Sequence, residues 1–345
     1  FTSLLSGAET MVDVRRKTVD ATYYGTSVPA THRPRFAVAD LVRLVPPNAL
    51  PNLWMQPEPR PSTFVILGAG KTAMDVGIWL LASGADPASI HWVVPRDSWL
   101  LNRRKTQPGL EFFDDVFGGQ AAQMQAFAEA ESVADIFARL EAAGVVMRID
   151  PDVQPQMFHY ATMSEGEIVQ LRRIDNVIRM GRVQAIEPGL LRLDGGDVAL
   201  PADALIIDCT ASAVEARPTV PMFQGTLITP QLVRVPQPAF SAAYVAFVEA
   251  HYADDETKNR LCAPVPFPHR MSDYPRTNLV NMMNQFQFTQ DEKLSRWVRN
   301  SRLDGFAKVA AAIDPADTEK LALLGQLRGH AMGAMANLQR LAAIQ

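Results

Sequence analysis

The chain has 345 residues, of which 48% are hydrophobic and 20% charged, and a net charge of −4 at pH 7. That balance excludes global disorder, a collagen or coiled-coil rod, and the basic footprint of a nucleic-acid binder. No run of roughly eighteen apolar residues exists to cross a membrane, and the two cysteines, Cys209 and Cys262, make no CxxC pair, zinc set or disulfide framework, so a reducing cytoplasm is the expected setting.

Length predicts about two domains. The chain begins at Phe1 rather than Met and shows no signal-like segment, so a trimmed or incomplete chain is expected. Prolines cluster from Pro46 through Pro57, Pro59 and Pro61, which predicts a linker over 45–62, neither helix nor central strand. Thr63–Leu67 is a short apolar run closed by glycine and reads as a buried parallel strand. A helix is predicted over Lys71–Ala82, stopped at Ser83-Gly84, and a second strand over Ile90–Val94. The span 95–119 lacks periodicity and is long for a loop, as a lid would be. Helical spacing at Met124, Phe127, Ile136, Phe137 and Leu140 predicts a helix over 120–143, followed by a strand at Val145–Ile149. Hairpins are expected over 180–200, turning at Asp194-Gly195-Gly196-Asp197. A buried strand follows at Ala204–Ile207, and from about 238 the pattern is mostly helical. The alternation over 63–149 is that of an α/β, Rossmann-like doubly wound parallel sheet.

The sharpest signal is Gly68-Ala69-Gly70-Lys71-Thr72-Ala73, a GxGxxA. The first glycine makes the tight strand-to-helix turn. The second lets the backbone approach a pyrophosphate, and the small third residue allows close packing. The phosphate then meets free N–H groups at the helix start. The strand before it and the helix after it are the context that such a motif requires. Gly70-Lys71-Thr72 also mimics a P-loop ending, but that loop needs glycine where Val65 stands. An NAD site closes its second strand on an acidic residue that binds the ribose 2′-hydroxyl. This strand closes as Val94-Pro95-Arg96, and a guanidinium suits a 2′-phosphate. Arg103 and Arg104 would complete a clamp, although each alone reads better as a surface arginine, and Asp97 argues the other way. The balance predicts NADP(H).

Other constellations are weaker. The six histidines show no metal spacing, and His32 reads as a loop histidine near a cofactor edge at most. No tyrosine has lysine four positions on, which excludes a short-chain reductase. Asn278, Asn281, Asn284, Gln285 and Gln287 would suit a pocket wall, or simply the polar face of a helix. Met332–Leu341 reads as a packing helix.

Gly68-Ala-Gly-Lys-Thr-Ala-Met-Asp75 resembles the NADP-binding GxGxSxxD motif of flavin-containing monooxygenase-like enzymes. Trp92–Trp99 resembles the stretch in which that family presents its 2′-phosphate arginine. Val19–Pro29, with Ala21 and Thr22, is similar to the ATG segment that leaves the family's FAD domain. Ala202–Ala211, with Thr210, is similar to the ATG segment that returns. Both lack the final glycine, having Tyr23 and Ala211 in its place. The family's first GxGxxG and its FxGxxxH signature are absent.

The resemblance covers about 15–215. It implies an NAD(P)-binding domain over 61–215, preceded by the remaining part of an FAD-binding domain and linker over 1–60. A returning FAD-domain segment and helical C-terminal region would occupy 216–345. It implies a flavin-dependent oxidoreductase that uses NADPH to reduce FAD, in the manner of a monooxygenase acting on a small organic substrate. The alternative is a non-catalytic dinucleotide-binding or redox-sensing module. Expected cofactor residues are Gly68, Gly70, Lys71, Thr72, Ala73, Arg96, Arg103, Ala21, Thr22 and Thr210. No metal, nucleic-acid or membrane partner is expected, and a homo-oligomer is left open.

Overall fold

A computed structural model describes residues 1–56, 60–212 and 214–344. Pro57 and Pro59 of the first proline cluster lie outside the described residues. The chain forms two compact units. One comprises Phe1–Gly25, Arg217–Phe267 and Leu279–Asp304; the other comprises Thr26–Ala216, Pro268–Asn278 and Gly305–Gln345.

The larger unit is mixed α/β. At its centre is a parallel sheet in the order Leu44–Val45, Leu205–Asp208, Phe64–Leu67, Ile90–Val93, Asn176–Ile178. Phe64–Leu67 is apolar throughout because both of its faces are covered, and its side chains alternate between them. Phe64 and Ile66 pack with Met74 and Leu80 of the helix Lys71–Ala82. Val65 and Leu67 pack with Ile186, Leu191 and Leu193. These three belong to a four-stranded sheet in the order Gly196–Ala199, Leu190–Leu193, Val183–Glu187, Ala37–Val38, in which the hairpin turns at Asp194-Gly195 as its glycines predict. Helices therefore cover one face, whereas a β-layer covers the face where a doubly wound sheet would place helices.

Four local expectations are corrected. The proline cluster holds a helix, Leu50–Met55, because Pro51 falls in its first turn, where no N–H is needed. Residues 95–119 are not one long loop. They open with the strand Ser98–Asn102, whose Trp99 and Leu100 are fully buried. That strand pairs with Met157–Met163 and with Val146–Met147 in a second sheet. Only Val146–Met147 of the third predicted strand forms, antiparallel and outside the main sheet; Asn176–Ile178 takes the edge instead. The predicted helix 120–143 is two helices, Phe113–Glu129 and Val133–Ala142. Ser132 starts the second by accepting a hydrogen bond from Asp135 N at 3.1 Å. The long helix Thr318–Ala343 packs against the first of these, with Leu324 on Phe113, Val116 and Phe117, and Asn337 donates to the carbonyls of Phe127 and Ala130.

The smaller unit joins Thr18–Val19, Leu227–Ile228 and Phe223–Gln224 in one sheet. Its core is Phe240, Tyr244, Val248, Phe288 and Leu294, supplied in part by the helices Pro238–His251 and Glu292–Asn300. Two of the amides considered for a pocket wall, Asn281 and Asn284, pin backbone instead. Asn284 donates to Val233 O and Ala263 O, and Asn281 accepts from Val235 N.

Candidate functional site

The glycine loop sits at the carboxyl end of Phe64–Leu67. On one side is Ile90–Val93, made next in the chain; on the other is Leu205–Asp208, made much later. The strand order thus reverses at this point, and a reversal opens a crevice beyond the carboxyl ends of the strands. Gly68 has φ +111°, and a Cβ there would lie 2.7 Å from Cys209 O. Its N–H donates to Val93 O at 3.0 Å, and its carbonyl accepts from the Trp92 indole at 2.7 Å. Gly68 is therefore required by the fold: it lets the loop pass between its two neighbour strands.

Gly70 differs. Its φ is −85°, which any residue adopts, and a Cβ there would meet nothing within 4 Å. No packing among the described residues calls for glycine. It is exposed and starts the helix Lys71–Ala82 with no side chain capping the first turn. The first-turn N–H groups of Lys71, Thr72 and Ala73 are orphan donors of the kind that bind anions. Ala73 is fully buried against the sheet, where a larger residue would hold the helix away. Lys71 forms an i,i+4 ion pair with Asp75.

At the end of the neighbouring strand, Arg96 is exposed and Asp97 half-buried. Asp97 is engaged by Arg179, with Nε and Nη2 at 2.9 and 3.1 Å from its two carboxylate oxygens. Arg179 also pairs with Asp150 at 3.0 Å. The one acidic residue that would favour NAD is thus held by a guanidinium. Among the described residues no carboxylate is found to act on Arg96. Desolvation and then the like charge of Arg182 push its ionisation downward, an environment that an anion would relieve.

Arg103 lies at the far end of Ser98–Asn102 from Arg96, donates to Thr162 O at 3.3 Å, and pairs with Glu167 at 3.3 Å. The strand between them spans about 16 Å at ~3.3 Å per residue, so the structure does not bring the two arginines together. Arg104 pairs with Asp115. Ala21 and Thr22 belong to the smaller unit, in an exposed turn where Asp20 accepts from Thr22 N and Oγ1. Thr210 does join Gly68 at the crevice, and beside it stands His32, Nε2 at 3.3 Å from Thr210 Oγ1.

Burial, then the charges of Asp208 and Asp75, push the Cys209 thiol far up; burial alone does the same to Cys262 in the smaller unit. Thiolate is the reactive form. Neither cysteine is expected to react with a disulfide reagent at pH 8 in the folded protein, and both should react after unfolding. Rapid labelling of Cys209 in the folded protein would show that the crevice wall opens.

Among the described residues, no helix is long and apolar enough to cross a membrane. The chain is similar to an uncharacterized protein of Mycobacterium bovis and to uncharacterized proteins from two strains of Mycobacterium tuberculosis. Each is 43% identical over 300 residues, which is 87% of this chain and 55% of the relative. The chain therefore spans about half the length of the curated relatives it matches. No family model and no solved structure matches it.

Proposed function

We propose that the larger unit binds NADP(H) in a Rossmann-like crevice, as the nicotinamide-cofactor part of a flavin-dependent oxidoreductase of the monooxygenase-like kind. One observation carries the reading. A glycine that the fold does not need, Gly70, stands exposed beside an uncapped helix start, at the point where the strand order reverses. The donor set fits a pyrophosphate: N–H groups of Lys71, Thr72 and Ala73, with Arg96 at the end of the next strand for a 2′-phosphate. When bound, NADPH supplies a hydride. The chain's residues bind it, orient it and neutralise its phosphates. Among the described residues one strand–glycine loop–helix unit of this type occurs, which fits one dinucleotide.

Calorimetric titration tests the reading. NADP+ is expected to bind about tenfold or more tighter than NAD+, since a charge-assisted hydrogen bond contributes about 1.5–3 kcal/mol. Equal affinities would remove Arg96 from the site. Absence of binding by either would remove the dinucleotide.

A further inference from the structure

Asp208, Thr210 and His32 form a hydrogen-bonded chain on the wall of the crevice. Thr210 Oγ1 lies 2.6 Å from Asp208 Oδ1 and 3.3 Å from His32 Nε2, and Thr210 N donates to the same carboxylate oxygen at 2.9 Å. Asp208 is only 6% exposed. A carboxylate is an acceptor, so the threonine hydroxyl gives it its one proton. The hydroxyl lone pairs then face the imidazole, and the contact is a hydrogen bond only when Nε2 carries hydrogen. The neutral ring is thereby left with Nδ1 as an acceptor.

The position of this chain matters as much as its polarity. Cys209, against whose carbonyl Gly68 closes, lies between Asp208 and Thr210. Arg96 follows the strand on one side of the glycine loop; Thr210 follows the strand on the other. A dinucleotide lies across such a crevice, with its two halves on opposite sides of the loop. With the phosphorylated ribose at Arg96, the other half faces Thr210 and His32.

We propose that Asp208 and Thr210 hold His32 in its Nε2-protonated tautomer, so that Nδ1 accepts a hydrogen bond from the nicotinamide half of the dinucleotide. That half carries donors, a carboxamide NH2 and two ribose hydroxyls, and a fixed acceptor matches them. An untethered imidazole would populate both tautomers and present a donor to those donors part of the time. The inference rests on the cofactor reading above.

The test is a long-range 1H–15N correlation spectrum of the imidazoles at pH 8, with His32→Gln identifying the His32 signals. The free protein should show the Nε2–H pattern, and Thr210→Val should convert it to a mixture. Adding 2′,5′-ADP, which lacks the nicotinamide half, should leave the His32 signals in place, whereas NADP+ should shift Nδ1. His32→Ala should weaken NADP+ about tenfold and leave 2′,5′-ADP unchanged. An Nδ1–H pattern in the free protein overturns the proposal. So does NADP+ binding that leaves the His32 signals unmoved, and in that case the cofactor reading stands. If neither ligand binds, the cofactor reading falls and takes this one with it.

Discussion

Replacing Gly68 by alanine is expected to cost the larger unit about 3 kcal/mol, while the same change at Gly70 leaves the fold intact and removes cofactor binding. The contrast follows from two environments two residues apart. At Gly68 the backbone sits at φ +111°, where a side chain costs about 1–3 kcal/mol, and the new methyl would press on Cys209 O at 2.7 Å. That carbonyl belongs to Cys209, the residue just past the central strand Leu205–Asp208, whose own N–H donates to Leu67 O at 3.0 Å, so it cannot move aside cheaply. Thermal unfolding should fall by roughly 6–12 °C at ~2–4 °C per kcal/mol for a unit of this size. At Gly70 neither backbone angle nor packing objects. Ala is a poorer N-cap than Gly by about 1 kcal/mol, so the unfolding midpoint should fall by only ~2–4 °C. NADP+ affinity should nevertheless drop tenfold or more, since the methyl would occupy the space a pyrophosphate needs. Unchanged affinity in Gly70→Ala would mean that no phosphate sits on this loop.

Arg96→Ala is expected to weaken NADP+ by about 10- to 100-fold and to leave NAD+ unchanged, because removing one charge-assisted contact to a phosphate costs about 1.5–3 kcal/mol. The fold should not respond. Arg96 is exposed; desolvation and a second arginine, Arg182, act on it, and among the described residues no carboxylate is found to hold it. Arg96→Lys should recover only part of the loss, since an ammonium cannot make the planar two-point contact. The informative companion is Arg179→Ala, which frees Asp97. A released carboxylate next to Arg96 should lower NADP+ affinity and raise NAD+ affinity. Parallel losses for both nucleotides in Arg96→Ala would show that the arginine acts on the pyrophosphate, or on the loop, rather than on the 2′-phosphate.

The glycine-loop unit was legible because its signals are local. Four apolar residues before Gly68 and a Ser-Gly stop place the strand Phe64–Leu67 and the helix Lys71–Ala82 without knowledge of anything distant. The hairpin at Asp194-Gly195 was legible for the same reason. What stayed hidden depends on partners far away in the chain. His32 and Thr210 are 178 residues apart, and no periodicity brings a loop histidine to a strand end. The quenching of Asp97 by Arg179 is equally non-local. Asn176–Ile178, half-buried along its length at a sheet edge, lacks the apolar run that marks a central strand. The helix Leu50–Met55 hid behind its own proline, which breaks a helix interior but suits a first turn. The cap Ser132-x-x-Asp135 was a local signal, outweighed by the continuous apolar spacing on either side of it.

The sheet order also sets a schedule for synthesis. Leu205–Asp208 lies between Leu44–Val45 and Phe64–Leu67, yet it leaves the ribosome last of the three. Until then the glycine-loop strand has one open edge, lined by four residues that end up fully buried. Pairing across so long a stretch of chain is slow, and an open apolar edge invites pairing with other chains meanwhile. The strand that completes the crevice is thus also the one that ends the exposure of this edge. A pause in translation between Val94 and Ala204 would expose that edge longest.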